Sequence, residues 1–409
     1  MTQGEGDRRA AYASSIRDVL QADGFSHSTG LVTNGSPSRK PPDHCLKVNF
    51  ASEQPARGVS AVGTSSQLPN VIRDENQLED WLTRPRPGLV DFIRSLPSPL
   101  LILGAGGKMG PTLAVLAQRA AELTGHKLEV IAVSRFSEES SRRWLEARGV
   151  STLSADLLDR DEVRKLPDAA NVIYLVGLKF GTRENPALTW AANTLAPAQI
   201  AERYAQSRLV ALSTGNVYPL VPVASGGARE EQALTPLGEY ANAAVARERI
   251  FEYFARKNGT RLAVLRLNYA AELRYGVLVD IAQKVITGER IDVTSGWFNC
   301  IWQGDANEMI LRTLALATSP PSTYNLTGPS VVSVREVSMK FSELLDRPAR
   351  LIGEEADTAL LSNPERLCRE LGSPPTAFED ILRCTAEWVR NGGRTLNKPT
   401  RFEVRDGKY

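Results

Sequence analysis

Residues 99–116 read PLLILGAGGKMGPTLAVL. A short apolar run enters a cluster of glycines, and an apolar-periodic stretch then continues to a stop at Gly125. This is the pattern of a buried strand, a tight turn and a helix. Gly104, Gly107 and Gly110 are spaced GxxGxxG, with Gly106 as an extra glycine. Small residues there let the chain turn sharply and approach a pyrophosphate closely. The helix start behind them offers unpaired N–H groups and a positive dipole end. A Walker phosphate loop does not fit: Gly107-Lys108 is followed by Met109, and position 102 is Ile. The turn therefore reads as a dinucleotide cradle formed by Gly104, Gly107, Lys108, Met109 and Gly110, with a purely structural turn as the alternative.

Outward from the turn, strand-like and helix-like stretches alternate. LEVIAVSRF, STLSADLLD, NVIYLVG, RLVALSTG and RLAVLRLNY read as strands, while NPALTWAANTLAPAQIAERYAQ and GEYANAAVARERIFEYFARKNG read as long helices. Five or six apolar strands separated by helices imply an α/β fold, a Rossmann-type doubly wound parallel sheet covered on both faces. After Tyr269 the alternation loosens, which suggests a smaller C-terminal substrate lobe. The expected organisation is a disordered extension over 1–70, rich in Ser, Gly, Pro and Asn, then a short helical lead-in over 71–97. A nucleotide-binding domain follows over 98–268. A lobe over 269–390 includes a segment near 300–318 that returns to the core, and a tail covers 391–409.

Composition narrows the chemistry. The chain has 409 residues, 49 Lys+Arg against 47 Asp+Glu and a net charge of +2, so nothing in the balance points to nucleic acid or a membrane surface. No apolar run approaches the roughly 18 residues of a membrane span. The first residues, MTQGEGDRRAAYASS, lack the apolar stretch of a signal peptide, so the expected location is cytoplasmic. Cys45, Cys300, Cys368 and Cys384 form no CxxC pair, and only His27, His44 and His126 are present. A metal site or a Ser-His-Asp triad finds no support in these counts. The chemistry must come from Tyr, Ser/Thr, Lys, Arg, carboxylates or a borrowed cofactor.

The end of the second strand bears on which dinucleotide is held. An acidic residue there would bond a ribose 2′-hydroxyl and favour NAD. Ser134 and Arg135 stand there instead and suit a 2′-phosphate, favouring NADP; the other reading is that Arg135 stacks on adenine or faces solvent. Asp156, with Leu157 after it, ends the third strand, where a carboxylate can meet the adenine amine or cap a turn.

These features together resemble the extended short-chain dehydrogenase/reductase family, the NAD(P)-dependent sugar epimerases and dehydratases, over roughly residues 99–390. GAGGKMG is similar to its glycine motif and SADLLD to its adenine-contacting segment. LVGLKFG resembles the loop after the fourth strand, placing Val176, Gly177 and Lys179 beside the cofactor. Asn193 resembles the asparagine of the next helix. LSTGNVYP resembles the stretch that carries the catalytic hydroxyl, Thr214 here, with Asn216 beyond it. Tyr240 stands where the family keeps its catalytic tyrosine. RLNYA resembles the segment opening the substrate lobe, with Arg266 and Asn268, and WQGDANEMI the Asp segment near it, with Asp305.

One departure matters. The family's helix reads YxxxK, but Tyr240 is followed four residues later by Ala244. The resemblance gives that lysine two tasks: binding the nicotinamide ribose and lowering the tyrosine pKa. Lys179 is the expected substitute, its alternative being contact with cofactor phosphate or a surface carboxylate. Arg247, seven residues from Tyr240, lies nearly on the same helix face but about 10 Å along the axis, and is expected to be a poor replacement.

The expected function is hydride transfer on a sugar or sugar-derived small molecule, with Tyr240, Thr214 and Lys179 catalytic. Asn193, Asn216, Asn268 and Arg274 are the expected substrate contacts, and Tyr275, Trp297, Asn299 and Trp302 are further possible ones. The alternative is a catalytically inactive NAD(P)-binding regulator or scaffold. The helices at 185–205 and 239–257 are the expected faces of a homodimer.

Overall fold

The computed structural model describes residues 68–179, 181 and 184–408. Most of the extension expected over 1–70 lies outside the described residues. Its last three residues are packed. Leu68 is buried in the second lobe, and the Pro69 carbonyl accepts a 3.1 Å bond from Arg383 Nη1. Ordered packing thus begins at least three residues earlier than composition suggests.

The lead-in forms α1 (Glu75–Leu82) and α2 (Pro87–Ile93). Asp74 caps α1 through Gln77 N, and Pro87 opens α2 with the φ a helix start needs. Leu78, Leu82, Leu89 and Ile93 are fully buried, so the lead-in is part of the core.

The main sheet has seven strands: β1 (Leu100–Leu103), β2 (Val130–Ser134), β3 (Ser151–Ser154), β4 (Asn171–Tyr174), β5 (Arg208–Thr214), β6 (Arg261–Leu267) and β7 (Ser322–Leu326). All pair in parallel in the order β7-β6-β5-β4-β1-β2-β3. Strand order reverses between β1 and β4, and the carboxyl ends of strands at such a switch point are where open α/β sheets bind ligands. Every residue of β1 is fully buried, as a central parallel strand with helices on both faces requires.

Helices α3 (Gly110–Thr124), α4 (Glu139–Glu146), α5 (Arg160–Lys165), α6 (Pro186–Arg203) and α7 (Gly238–Asn258) connect the strands up to β6. Glycines at positive φ, Gly125 and Gly259, close α3 and α7 where the sequence places their stops.

The seventh strand goes beyond the five or six expected. STYNL carries no run of aliphatic residues. It becomes a strand because it lies parallel to β6, from Ser322 beside Ala263 to Leu326 beside Leu267. The second lobe contributes α8 (Val277–Thr287), α9 (Gln303–Arg312), α10 (Val334–Leu345), α11 (Glu365–Leu371) and α12 (Phe378–Arg390). Of these, α9 packs on α3, where Gln303 Nε2 and Asn307 Nδ2 both donate to Thr112 Oγ1 at 3.0 and 2.9 Å.

The polar tail wraps the second lobe and reaches the nucleotide-binding half. Thr400 bonds Asp280 through its backbone N and its hydroxyl, Glu403 pairs with Lys284, and Phe402 is buried. Arg405 Nη1 donates to the Thr358 carbonyl at 2.8 Å, and Gly407 lies against Gly238 at the start of α7.

Candidate active site

The glycine turn is built for close approach. Gly104 has φ +82°, and a Cβ there would lie 2.7 Å from Val176 Cγ2 on the neighbouring strand end. A Cβ on Gly110 would sit 2.5 Å from Ala105 Cα and its carbonyl oxygen, so only glycine lets α3 begin so near the turn. Pro111 fills the first turn of α3, and no side chain caps the helix start.

Beside this turn lies a cavity of about 240 Å³, running along the ends of β1, β2, β3 and β4 to α6. Its wall includes Gly104, Gly107, Ser134, Arg135, Asp156, Leu157, Val176 and Gly177, with Leu188, Ala192 and Ala196 from α6. It is largely apolar. Asp156 lines it while also closing a turn, Oδ1 accepting from Leu158 N at 3.0 Å. Met109 is buried beneath the turn rather than facing the cavity. Lys108 reaches the other way. Its Nζ lies 4.4 Å from the Tyr275 ring centroid and 3.3 Å from the Lys398 carbonyl, tying the turn to the C-terminal tail.

The sheet's β5 ends at Thr214, and α7, packed against β5, carries Tyr240 in its first turn. Both are nearly buried, 8% exposed. Thr214 Oγ1 lies 3.0 Å from Asn216 Oδ1 and accepts from Asn216 N at 3.2 Å, which fixes the hydroxyl at the strand's end. Lys179 is half-buried on the loop after β4; burial and the nearby charge of Lys108 lower its pKa to about 8.

Position 244 is wholly buried among Val217, Tyr218 and Leu361. Glu248 does not burden Tyr240 with a lone negative charge. It pairs with Arg266 at 2.8 Å and accepts from the Ser213 hydroxyl. Arg266 also donates to Tyr218 Oη at 2.7 Å, and burial pushes that phenol up to about 12. Glu248 and Arg266 thus form a supporting pair behind the strand end.

The expected substrate contacts separate. Asn216 stays beside Thr214. Asn193 is fully buried, donating to Thr189 O at 2.8 Å and accepting from Arg247 Nη1 at 2.9 Å. Asn268 is buried too and donates to Asn299 Oδ1 at 2.8 Å. Arg274 is taken up by carboxylates: Glu272 at 3.1 Å, Glu75 at 3.2 Å and Glu79 at 3.7 Å. Asp305 pairs with Arg86 of the lead-in. Tyr275, Asn299 and Trp302 are buried, whereas Trp297 borders a small second-lobe cavity with Tyr269 and the tail residues Phe402 and Arg405.

Arg247, expected to be a poor replacement for the missing lysine, lies behind the cavity wall. It is 3% exposed, and its Nη1 donates to the Val176 carbonyl and to Asn193 Oδ1, each at 2.9 Å. The guanidinium therefore reaches the cavity wall.

A glycine turn opening a helix at the switch point, with an apolar slot beside it, is the geometry with which doubly wound folds hold dinucleotides. Residues 100–280 match the sequence model of the NAD dependent epimerase/dehydratase family. No curated protein sequence matches the chain. Solved structures share its fold. The Thermus thermophilus UDP-glucose 4-epimerase, in complex with NAD, superposes with a TM-score of 0.58 at 20% identity, over 71% of this chain and 99% of that one. The Bacillus cereus UDP-glucuronic acid 4-epimerase with NAD gives 0.60 at 14% identity, over 71% and 98%. A Streptomyces venezuelae dTDP-glucose 4,6-dehydratase with NAD bound gives 0.60 at 17% identity, over 71% and 97%. Among the described residues, no helix is long and apolar enough to cross a membrane, and no group of three or more His, Cys, Asp or Glu could hold a metal ion.

Proposed function

We propose that the protein is an NAD(P)-dependent oxidoreductase of the epimerase/dehydratase kind, acting by hydride transfer on a sugar or sugar-derived substrate. One observation supports this reading: β5 ends in Thr214 on the carboxyl side of the parallel sheet, the side that carries the glycine turn and its slot, and α7, packed on β5, carries Tyr240 in its first turn.

The chain's own residues fit the cofactor. Gly104, Gly107 and the open start of α3 would hold a pyrophosphate. Leu157 and Val176 would flank adenine, and Arg135 with Ser134 would meet a 2′-phosphate, so NADP is favoured over NAD. A nicotinamide bound there supplies the hydride acceptor or donor. Tyr240 exchanges a proton with the substrate oxygen, Thr214 donates a hydrogen bond to the same oxygen, and Lys179 attends the cofactor's ribose. Nucleotide sugars are the first substrates to try, because all three fold relatives act on them by name.

The alanine at 244 favours a second reading, an NAD(P)-binding regulator without turnover. Purified protein incubated with NADP or NAD and a panel of sugars and nucleotide sugars separates the two. Reduced nicotinamide is followed by absorbance and isomerised products by chromatography. Turnover of any member supports the enzyme. Tight cofactor binding with no product from the panel supports the regulator.

The proposal includes a homodimer through α6 and α7, where Leu188, Trp190, Leu195 and Tyr253 are exposed. Sedimentation should find a dimer that Leu195→Glu dissociates; a monomeric wild type would remove this part. Free Cys300, Cys368 and Cys384 support a cytoplasmic setting.

A further inference from the structure

The polar segment 394–408 has no helix or strand of its own, yet it is fixed along its length. Arg394 pairs with Glu75, and the Leu396 N–H donates to the Arg274 carbonyl at 2.9 Å. Thr400 gives Asp280 two bonds, at 2.8 and 2.6 Å. On either side of that anchor Asn397 and Arg401 hold φ of +50° and +54°. Non-glycine residues stay in the left-handed region only where their surroundings over-determine them.

The far end of the segment is built most closely. Gly407 and Gly238 lie backbone to backbone at φ +73° and +79°. A Cβ on Gly407 would strike the Leu237 carbonyl oxygen, and one on Gly238 would strike the Gly407 carbonyl oxygen. Two glycines are needed for such an approach. The residues met there open α7, two and three positions before Tyr240.

The middle of the segment belongs to the second lobe, while two of its contacts fall on the nucleotide-binding half. The Lys398 carbonyl accepts from Lys108 Nζ of the glycine turn at 3.3 Å, and Gly407 meets the start of α7. Between these contacts Phe402, Val404 and Arg405 line a small cavity with Tyr269, which stands just beyond β6. The segment thus passes from the carboxyl end of β1, by that of β6, to the first turn of α7. That edge of a parallel sheet is where ligands sit.

We propose that residues 394–408 form a strap across the crevice between the two halves, which shields the nicotinamide end of the site from solvent and bounds the room left for a substrate. This rests on the cofactor lying as described under the proposed function, with its adenosine in the slot beside β2 and β3 and its nicotinamide toward Thr214 and Tyr240. Excluding water there would protect a hydride step from side reactions.

The test is collisional quenching by acrylamide of the fluorescence of bound NADPH, whose reduced nicotinamide is itself the probe. In the wild-type complex it should be quenched far less than in free NADPH. Two variants release the end of the strap. One is a chain stopped after Glu403, which keeps the Thr400 and Phe402 anchors; the other is Gly407→Val, whose side chain strikes Leu237. Each should raise the quenching constant several-fold toward that of free NADPH. Should the shortened chain fail to fold by melting, Gly407→Val decides. Wild-type quenching equal to that of free NADPH overturns the proposal. So does unchanged quenching in a folded variant, because a tail that only stabilises the second lobe would lower the melting temperature and leave the nicotinamide as shielded as before. A wild type that binds no NADPH gives no bound fluorescence; that outcome removes the cofactor reading and the strap's role with it. No substrate enters the measurement, so a wrong substrate panel fails separately, in the turnover assay.

Discussion

The two ends of the cofactor slot are built by different means. At the proposed adenosine end, the polar and glycine positions of the cavity wall lie in turns directly after strands: Gly104 after β1, Ser134 and Arg135 at the end of β2, Asp156 after β3. Backbone geometry does the work there, and the residues sit within a few positions of the elements that aim them. At the proposed nicotinamide end, the assigned groups come from elements far apart in sequence. Thr214 ends β5, Tyr240 opens α7 and Lys179 stands on the loop after β4. This end departs from the family's YxxxK arrangement, while the other conforms to it. A strand–turn–helix cradle is difficult to alter piecemeal, because a changed residue strikes backbone. A cation reaching a site by its side chain can be moved along a helix without disturbing the fold.

The largest expected effect lies at the divergent end. Tyr240→Phe should lower the chemical rate by roughly 10²–10⁴-fold, the usual size of a general acid/base contribution, with cofactor affinity little changed. Single-turnover kinetics on whichever substrate the panel identifies would measure it. A variant turning over at the wild-type rate would break the comparison, because the nicotinamide end would then hold no proton-transfer group at position 240.

At the conforming end, Arg135→Asp should lower the ratio of NADP to NAD affinity by roughly 10–100-fold, the worth of a charge-assisted hydrogen bond to the 2′-phosphate. Equilibrium titration of both cofactors at fixed salt would show it. An unchanged ratio would mean that Arg135 borders the slot without reading the 2′ position.

The expectation at the glycine turn is available from sequence because its signal is local. GxxGxxG between a strand and a helix needs nothing distant to be read. The same cannot be said of β7: Ser322 and Asn325 are poor strand formers, and the segment becomes a strand by pairing with β6. Arg274 looked free to hold an anion because its partners Glu75 and Glu79 stand nearly 200 residues earlier, on the lead-in. Local geometry was legible; convergence of distant side chains was not.

A third expectation concerns the turn itself. Gly104→Ala places a Cβ against Val176 at a positive φ. It should destabilise the fold by about 1–3 kcal/mol, the cost of holding a non-glycine residue in sparsely populated backbone. Chemical denaturation would measure the loss, and cofactor affinity should fall with it. A variant of unchanged stability would mean that the turn is looser than its packing against β4 implies.

The smallest effect discriminates most finely, because two observables should move in opposite directions. Burial lowers the Lys179 pKa to about 8 from its ordinary 10.5. Between these values the unfolded chain binds more protons at this residue than the folded one, so folding stability should rise with pH across that window. Cofactor binding should do the reverse. The diphosphate is attracted by the ammonium, which is present below pH 8 and lost above it. Lys179 is half-exposed, so solvent screens the interaction, and the loss of affinity from pH 7 to pH 9 should be only a few-fold. Isothermal titration at matched ionic strength would follow it. Lys179→Met should flatten the affinity profile in that range and remove this residue's share of the rise in stability. Arg247→Met should leave the slope in place, since a guanidinium does not titrate there. If Lys179→Met keeps the wild-type slope, Lys179 faces away from the cofactor.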